Sequence, residues 1–135
     1  MSSSIGDMIE ELLRLQGRLY NNVYVVANSL NFDENGMFVG IKNKIIHSMN
    51  KKEIVLNGLP IYRAIEKRKN VLLLGDGLGD LGMIDGFSYD NIIKIGFLNE
   101  NIEERIGEYK KKFDIVITND YGMKYVNKLL KEITS

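Results

Sequence analysis

The sequence predicts an α/β fold built on a mostly parallel sheet, and three observations carry that expectation. Runs rich in Val, Ile, Leu and Phe at Asn70–Gly75, Asn91–Leu98 and Asp114–Thr118 read as strands. Helical segments follow them in turn, at Asp80–Ile84, Ile102–Phe113 and Tyr121–Ile133. Val71-Leu72-Leu73-Leu74 is apolar at every position rather than at alternate ones, the pattern of a strand covered on both faces. Strands alternating with helices form βαβ units, whose crossovers keep the sheet parallel.

Along the chain, Ile5 to Leu19 places Ile5, Met8, Ile9, Leu12, Leu13 and Leu15 at helical spacing. Ser2, Ser3 and Ser4 precede it and are expected to cap its free N–H groups. Val23–Asn28 reads as a strand by its β-branched content. Asp33-Glu34-Asn35-Gly36 is a turn, and Met37–Lys42 the returning strand of a hairpin. Asn43–Pro60 reads as irregular, and Ile61–Lys69 as a helix with a cationic last turn, which suits the helix dipole. In the later helices, Ile102 with Ile106 and Tyr121 with Tyr125 are read as core-facing stripes. No repeat, low-complexity tract or linker interrupts the chain, so residues 1–135 read as a single domain.

A chain of 135 residues is long enough to bury roughly two-thirds of the surface its unfolded form exposes. Lys plus Arg and Asp plus Glu balance at 18 each, so no net field recruits nucleic acid or a membrane surface. Without cysteine there is no disulfide framework or thiolate chemistry, and the lone His47 cannot build a zinc site. No charged-then-apolar leader and no apolar run near the ~20 residues of a membrane span stands out, so a cytoplasmic protein is expected.

The chemistry concentrates at Leu74-Gly75-Asp76-Gly77-Leu78-Gly79-Asp80, where a strand runs into a glycine-rich turn with two aspartates four residues apart. Strand tips of open α/β sheets are where such folds place ligands. Two carboxylates held close repel unless a cation sits between them or one stays protonated. Mg²⁺ is the simplest neutraliser, because one or two carboxylates, waters and a substrate phosphate satisfy it.

Other readings stand beside this one. Gly77-Leu78-Gly79-Asp80-Leu81-Gly82 also spells GxGxxG after a strand, with Glu100 downstream as a ribose-binding acid. Against a dinucleotide loop, Asp76 and Asp80 would face a pyrophosphate, and Gly86 cuts the following helix short. A purely structural turn is the third reading. Ser2–Ser4 are a cap or, with the helix N-terminus, an anion site. Lys51 is a solvated charge or a fixed ammonium for a phosphate. His47 reads as a packing or hydrogen-bonding residue before it reads as a base. Asp33–Gly36 has Lys44 where a calcium loop needs a glutamate, so it is a hairpin turn.

A set of motifs is spread along the chain: Ile5-Gly6-Asp7, Phe32-Asp33-Glu34-Asn35-Gly36, Ile46-His47 with Asn50-Lys51, and Leu74-Gly75-Asp76 with Gly79-Asp80-Leu81. Met83 with Asp85-Gly86, Lys94-Ile95-Gly96-Phe97-Leu98-Asn99 and Phe113-Asp114-Ile115-Val116 complete it. Taken together, these residues resemble the C-terminal part of the cytosolic 5′-nucleotidase III family, the pyrimidine and 7-methylguanosine-monophosphate 5′-nucleotidases of the haloacid dehalogenase superfamily. The likeness runs from Ser2 to about Ile133.

The resemblance implies a Rossmann-like sheet of the haloacid dehalogenase type and a Mg²⁺-dependent hydrolysis of nucleoside 5′-monophosphates through an aspartyl-phosphate. By it, Ser2 and Ser3 bind the phosphoryl group and Lys51 neutralises phosphate charge in the catalytic step. Asp76 ligates Mg²⁺, and Asp80 supports the site as the second catalytic residue. Ser3 and Ser4 replace the family's Ala-Gly pair, and Gly77-Leu78 its usual Ser-Gln. The family's nucleophile lies in a DxDxT motif upstream of the serine motif, and no DxDxT occurs in these residues. The chain is therefore expected to lack the nucleophile strand and the helical cap, and to be inactive alone. Expected partners are CMP, UMP or 7-methyl-GMP and the upstream part of its own protein, with no nucleic acid or membrane. A non-catalytic phosphate- or metal-binding relative is the alternative, and a dinucleotide-binding fragment a weaker one.

Overall fold

Six backbone pairs align Asn70–Gly75 with Asn91–Gly96, the longest parallel ladder in the molecule. The computed structural model describes residues 1–51 and 58–135. These group into two compact units, residues 1–68 with 79–88 and residues 69–78 with 89–135.

In the second unit, β3 (Asn70–Gly75), β4 (Asn91–Leu98) and β5 (Ile115–Thr118) form a parallel sheet in the order β3-β4-β5. The first two match the expected spans residue for residue, with β4 between its two neighbours and β3 at the edge of the three described strands. Helices α3 (Ile102–Lys112) and α4 (Lys124–Thr134) supply the cover. On one face Ile95 and Ile117 pack with Val126 of α4, joined by Leu72, Leu74, Ile93, Phe97 and Leu129. Side chains alternate across a strand, so Gly96 looks to the opposite face. There the Phe113 ring, at the end of α3, fills the space a side chain would need.

Phe113 cannot readily retreat, because it stacks on Tyr109 at 5.3 Å and both are buried. A Cβ on residue 96 would lie 2.7 Å from that ring. Gly96→Ala is expected to destabilise this unit by about 1–2 kcal/mol through overpacking, read from urea unfolding followed by circular dichroism. The stripe expected on Tyr121 and Tyr125 is corrected: both are exposed, and Val126 carries the inward face instead. Ile102 and Ile106 are half-buried.

In the first unit, helix α1 (Gly6–Leu15) is shorter than the expected Ile5–Leu19. Gly17 adopts φ +64°, and its N–H donates to the Arg14 carbonyl while Arg18 N–H donates to that of Leu13. This left-handed cap satisfies the last carbonyls and ends the helix. The expected serine cap is also corrected, since the N-cap residue is Ile5 and no side chain caps it.

Instead Ser2 to Gly6 runs beside Val26–Asn28. Ser2 N–H donates to the Val26 carbonyl at 2.8 Å, Asn28 N–H to that of Ser4 at 3.1 Å, and Gly6 N–H to that of Asn28 at 2.7 Å. Among the described residues only the Ile5–Asn28 bridge forms there, so Val23–Asn28 is not assigned as a regular strand. The hairpin partner is β1 (Ser29–Phe32), paired antiparallel with β2 (Phe38–Lys42). Its turn is closed by Asp33 Oδ1, which accepts from the N–H groups of Asn35 and Met37 at 2.9 Å each.

The helix expected at Ile61–Lys69 contracts to α2 (Tyr62–Ile65). Of the irregular stretch Asn43–Pro60, residues 52–57 lie outside the described residues, and the rest forms no strand or α-helix. Among the described residues no helix is long and apolar enough to cross a membrane.

Candidate active-site residues and their family

Two buried asparagines hold together the segment that presents Lys51. Asn28 is 6% exposed and bridges three parts of the first unit. Its Nδ2 donates to the Ser3 and Ile46 carbonyls, each at 2.9 Å, and its Oδ1 accepts the Ile46 N–H at 2.7 Å. Asn50 does the same over a shorter span, donating to the Ile45 carbonyl at 2.8 Å and accepting from His47 N–H at 2.7 Å. A side-chain amide with both ends satisfied substitutes for the ladder bonds that residues 45–50 lack. Sequence reading passed over Asn28, and its only local mark is polarity at the end of an apolar run.

That folding delivers Lys51 to Asp80. The ammonium Nζ is paired with Asp80 Oδ1, and the two side chains are only 11% and 6% exposed. Burying either charge by itself would cost several kcal/mol, so each is the condition for the other's place. Asp80 comes from a 3-10 helix, Leu78–Ile84, that sits against the Lys51 segment so closely that Gly79 has no room for a Cβ beside the Ser48 carbonyl. The resemblance named both residues for catalysis, and they meet as a buried ion pair.

The Met1 amino group lies within electrostatic reach of the same pair. Burial holds its pKa below the ordinary 8.0, Lys51 pushes it further down and Asp80 opposes. An amine with a depressed folded pKa binds fewer protons in the folded state between that pKa and 8.0. Stability of the chain beginning at Met1 is therefore expected to rise with pH across that window and to level off above it. Melting temperatures between pH 6.5 and 9 check this, with residues added ahead of Met1 as the variant in which the slope disappears.

Ser2 is half-buried and Ser3 exposed, and their backbone groups are engaged as described. The Ser2 hydroxyl oxygen accepts the Ser4 N–H at 3.1 Å. His47 is exposed, and its Nδ1 accepts the Met49 N–H at 3.3 Å, a local bond that matches the hydrogen-bonding reading.

Asp76 belongs to the second unit, where it is the first residue beyond β3 and is exposed. It lines a cleft of about 250 Å³ with Phe97, Leu98, Asn99, Glu100 and Arg105. This is the carboxyl end of a parallel sheet, where the neighbouring turns use Asn101, Asn119 and Asp120 at positive φ. No group of three or more His, Cys, Asp or Glu gathers among the described residues. Mg²⁺ asks for only one or two carboxylates and fills its shell with water and phosphate. Asp80 is paired with Lys51, whereas Asp76 is exposed at the strand tip.

The turn between these aspartates also bears on the dinucleotide alternative. A pyrophosphate loop opens an α-helix, whereas this one opens a seven-residue 3-10 helix, and Gly86 at φ +76° follows it.

Comparison with known proteins supplies the family. The chain is 44% identical over 135 residues to a 7-methylguanosine phosphate-specific 5′-nucleotidase of Xenopus laevis, covering 99% of this chain and 47% of that protein. The human protein of the same description is 40% identical over 133 residues, covering 98% and 44% respectively. The crystal structure of cytosolic 5′-nucleotidase IIIB bound to cytidine superposes with a TM-score of 0.87 at 33% identity, over 98% of this chain and 45% of that one. The chain thus spans about half the length of the relatives it matches. A family model described as pyrimidine 5′-nucleotidase (UMPH-1) matches residues 1–134, and the chain belongs to that family.

Proposed function

We propose that this chain is the metal-and-phosphate part of a Mg²⁺-dependent 5′-nucleotidase of the haloacid dehalogenase type. Its substrates are nucleoside 5′-monophosphates such as CMP, UMP or 7-methyl-GMP, and its setting is the cytoplasm. The observation that carries this reading is the buried Lys51–Asp80 pair, at the positions the family resemblance assigns, in a chain matched over residues 1–134 by a pyrimidine 5′-nucleotidase model.

In this reading Asp76 holds Mg²⁺ through its carboxylate. When bound, the cation neutralises charge that develops on the oxygens of the transferred phosphoryl group. Lys51 contributes a second, fixed positive charge, and Asp80 holds that ammonium in one orientation before the substrate arrives. A preorganised charge needs no reorganisation at the moment of reaction, which is why a buried pair serves better than a solvated lysine. Ser2 and Ser3 offer hydroxyls to the phosphate.

The covalent step needs a carboxylate nucleophile that becomes an aspartyl-phosphate and is then freed by water. That residue belongs to a DxDxT segment of an upstream strand outside this sequence, so the upstream part of the protein is a partner in catalysis.

The test joins the upstream half of the Xenopus relative ahead of Ser2 and measures phosphate release from the three monophosphates with Mg²⁺. Release from at least one of them is the expected result. A folded protein that hydrolyses none would instead mark the chain as a non-catalytic relative.

A further inference from the structure

We propose that Tyr109 is a positioning residue for Asp76, an inference that rests on the reading of Asp76 as the cation ligand. Tyr109 is fully buried on α3, yet its hydroxyl donates to the main-chain carbonyl of Asp76 at 2.7 Å, across 33 residues of sequence. The same hydroxyl accepts a bond from Arg105 Nη2 at 3.0 Å, and the guanidinium lies 5.1 Å from the Tyr109 ring centre. A charged donor onto the hydroxyl strengthens the bond that the hydroxyl itself donates.

The location gives this relay its purpose. Asp76 stands between Gly75 and Gly77, just where the β3 ladder ends. Gly75 is still held by its ladder pairing with Gly96, and Asp76 is the first residue past that support. The buried Tyr109 hydroxyl on the Asp76 carbonyl carries the fixed backbone one residue beyond the ladder, and ring stacking of Tyr109 on Phe113 fixes the donor in turn. The phenyl part of Tyr109 already serves packing, so the hydroxyl is the part that packing does not require. Groups that orient a ligand without touching the metal are commonly worth about 10–100-fold in metal affinity.

The experiment uses the full 135-residue chain and Mn²⁺ as the probe, counting free Mn²⁺ by electron paramagnetic resonance. Wild type, Tyr109→Phe and Asp76→Asn are compared at a temperature where each is folded, and Arg105→Met, at a half-exposed site, stands in should Tyr109→Phe not fold. Tyr109→Phe, or Arg105→Met to a smaller degree, is expected to weaken Mn²⁺ binding, by about tenfold for Tyr109→Phe, and Asp76→Asn to abolish it. Unchanged Mn²⁺ affinity in the Tyr109 and Arg105 variants, with binding lost in Asp76→Asn, overturns the positioning role and leaves Asp76 as the ligand. That holds even if Tyr109→Phe melts earlier, since a packing role alone moves melting and not affinity. Mn²⁺ binding that survives Asp76→Asn overturns the assignment of Asp76 itself, and this inference with it.

Discussion

Lys51→Met will destabilise the first unit by about 3–5 kcal/mol, the usual cost of leaving one member of a buried pair without its partner. The reason lies in burial: the Asp80 side chain is 6% exposed and the Lys51 side chain 11%, so neither charge can turn to water for compensation. Methionine keeps most of the lysine's apolar length, which isolates the lost charge from lost packing. The double variant Lys51→Met with Asp80→Leu removes both charges and should recover most of the loss, because a buried pair contributes little beyond an apolar pair of similar volume. Urea unfolding of the two singles and the double gives the coupling directly. A single variant as stable as wild type would mean that the pair is solvated and cannot serve as a fixed charge.

Gly79→Ala is the second large effect, at about 3 kcal/mol or somewhat more, near the upper end of what overpacking costs. A methyl group there is driven into the Ser48 carbonyl oxygen, and a backbone atom cannot swing aside as a flexible side chain would. The 3-10 helix Leu78–Ile84 must lift from the Lys51 segment, carrying Asp80 with it. The substitution is therefore expected to loosen the Lys51–Asp80 pair as well as to lower stability. Gly17→Ala makes a useful contrast, since its added methyl has open space and its cost is the strain of positive φ alone.

The parts of the fold that sequence reading reached are those where local pattern and tertiary environment agree. β3 and β4 are mostly apolar and form strands over the spans their composition marks. α1 ran long on paper because Leu13 and Leu15 keep the helical period, while Gly17 ended it through backbone geometry. Val23–Asn28 has the composition of a strand, but its backbone bonds go to Ser2–Gly6 and, from Val23 N–H, to the Tyr20 carbonyl rather than into a ladder.

Site residues were less legible, because their meaning is non-local. Nothing near Lys51 distinguishes a buried ammonium from a surface one, and Asp80 lies 29 positions away. Family likeness names both residues, but only the fold pairs them. Asn28 and Tyr109 were legible from neither source. An asparagine at a strand end reads as a turn residue, and a tyrosine on a helix reads as core. Only the fold brings Asn28 to Ser3 and Ile46, and Tyr109 to Asp76.

Phosphate release from CMP, UMP and 7-methyl-GMP is to be measured for this 135-residue chain itself, with and without Mg²⁺ and with Asp76→Asn beside it. If the chain holds cation and phosphate without a nucleophile, as proposed, the folded chain shows no turnover, and Mg²⁺-dependent release follows when a DxDxT segment from a relative is joined ahead of it. Mg²⁺-dependent release from the chain alone, abolished in Asp76→Asn, would place the nucleophile among these residues and overturn the proposal.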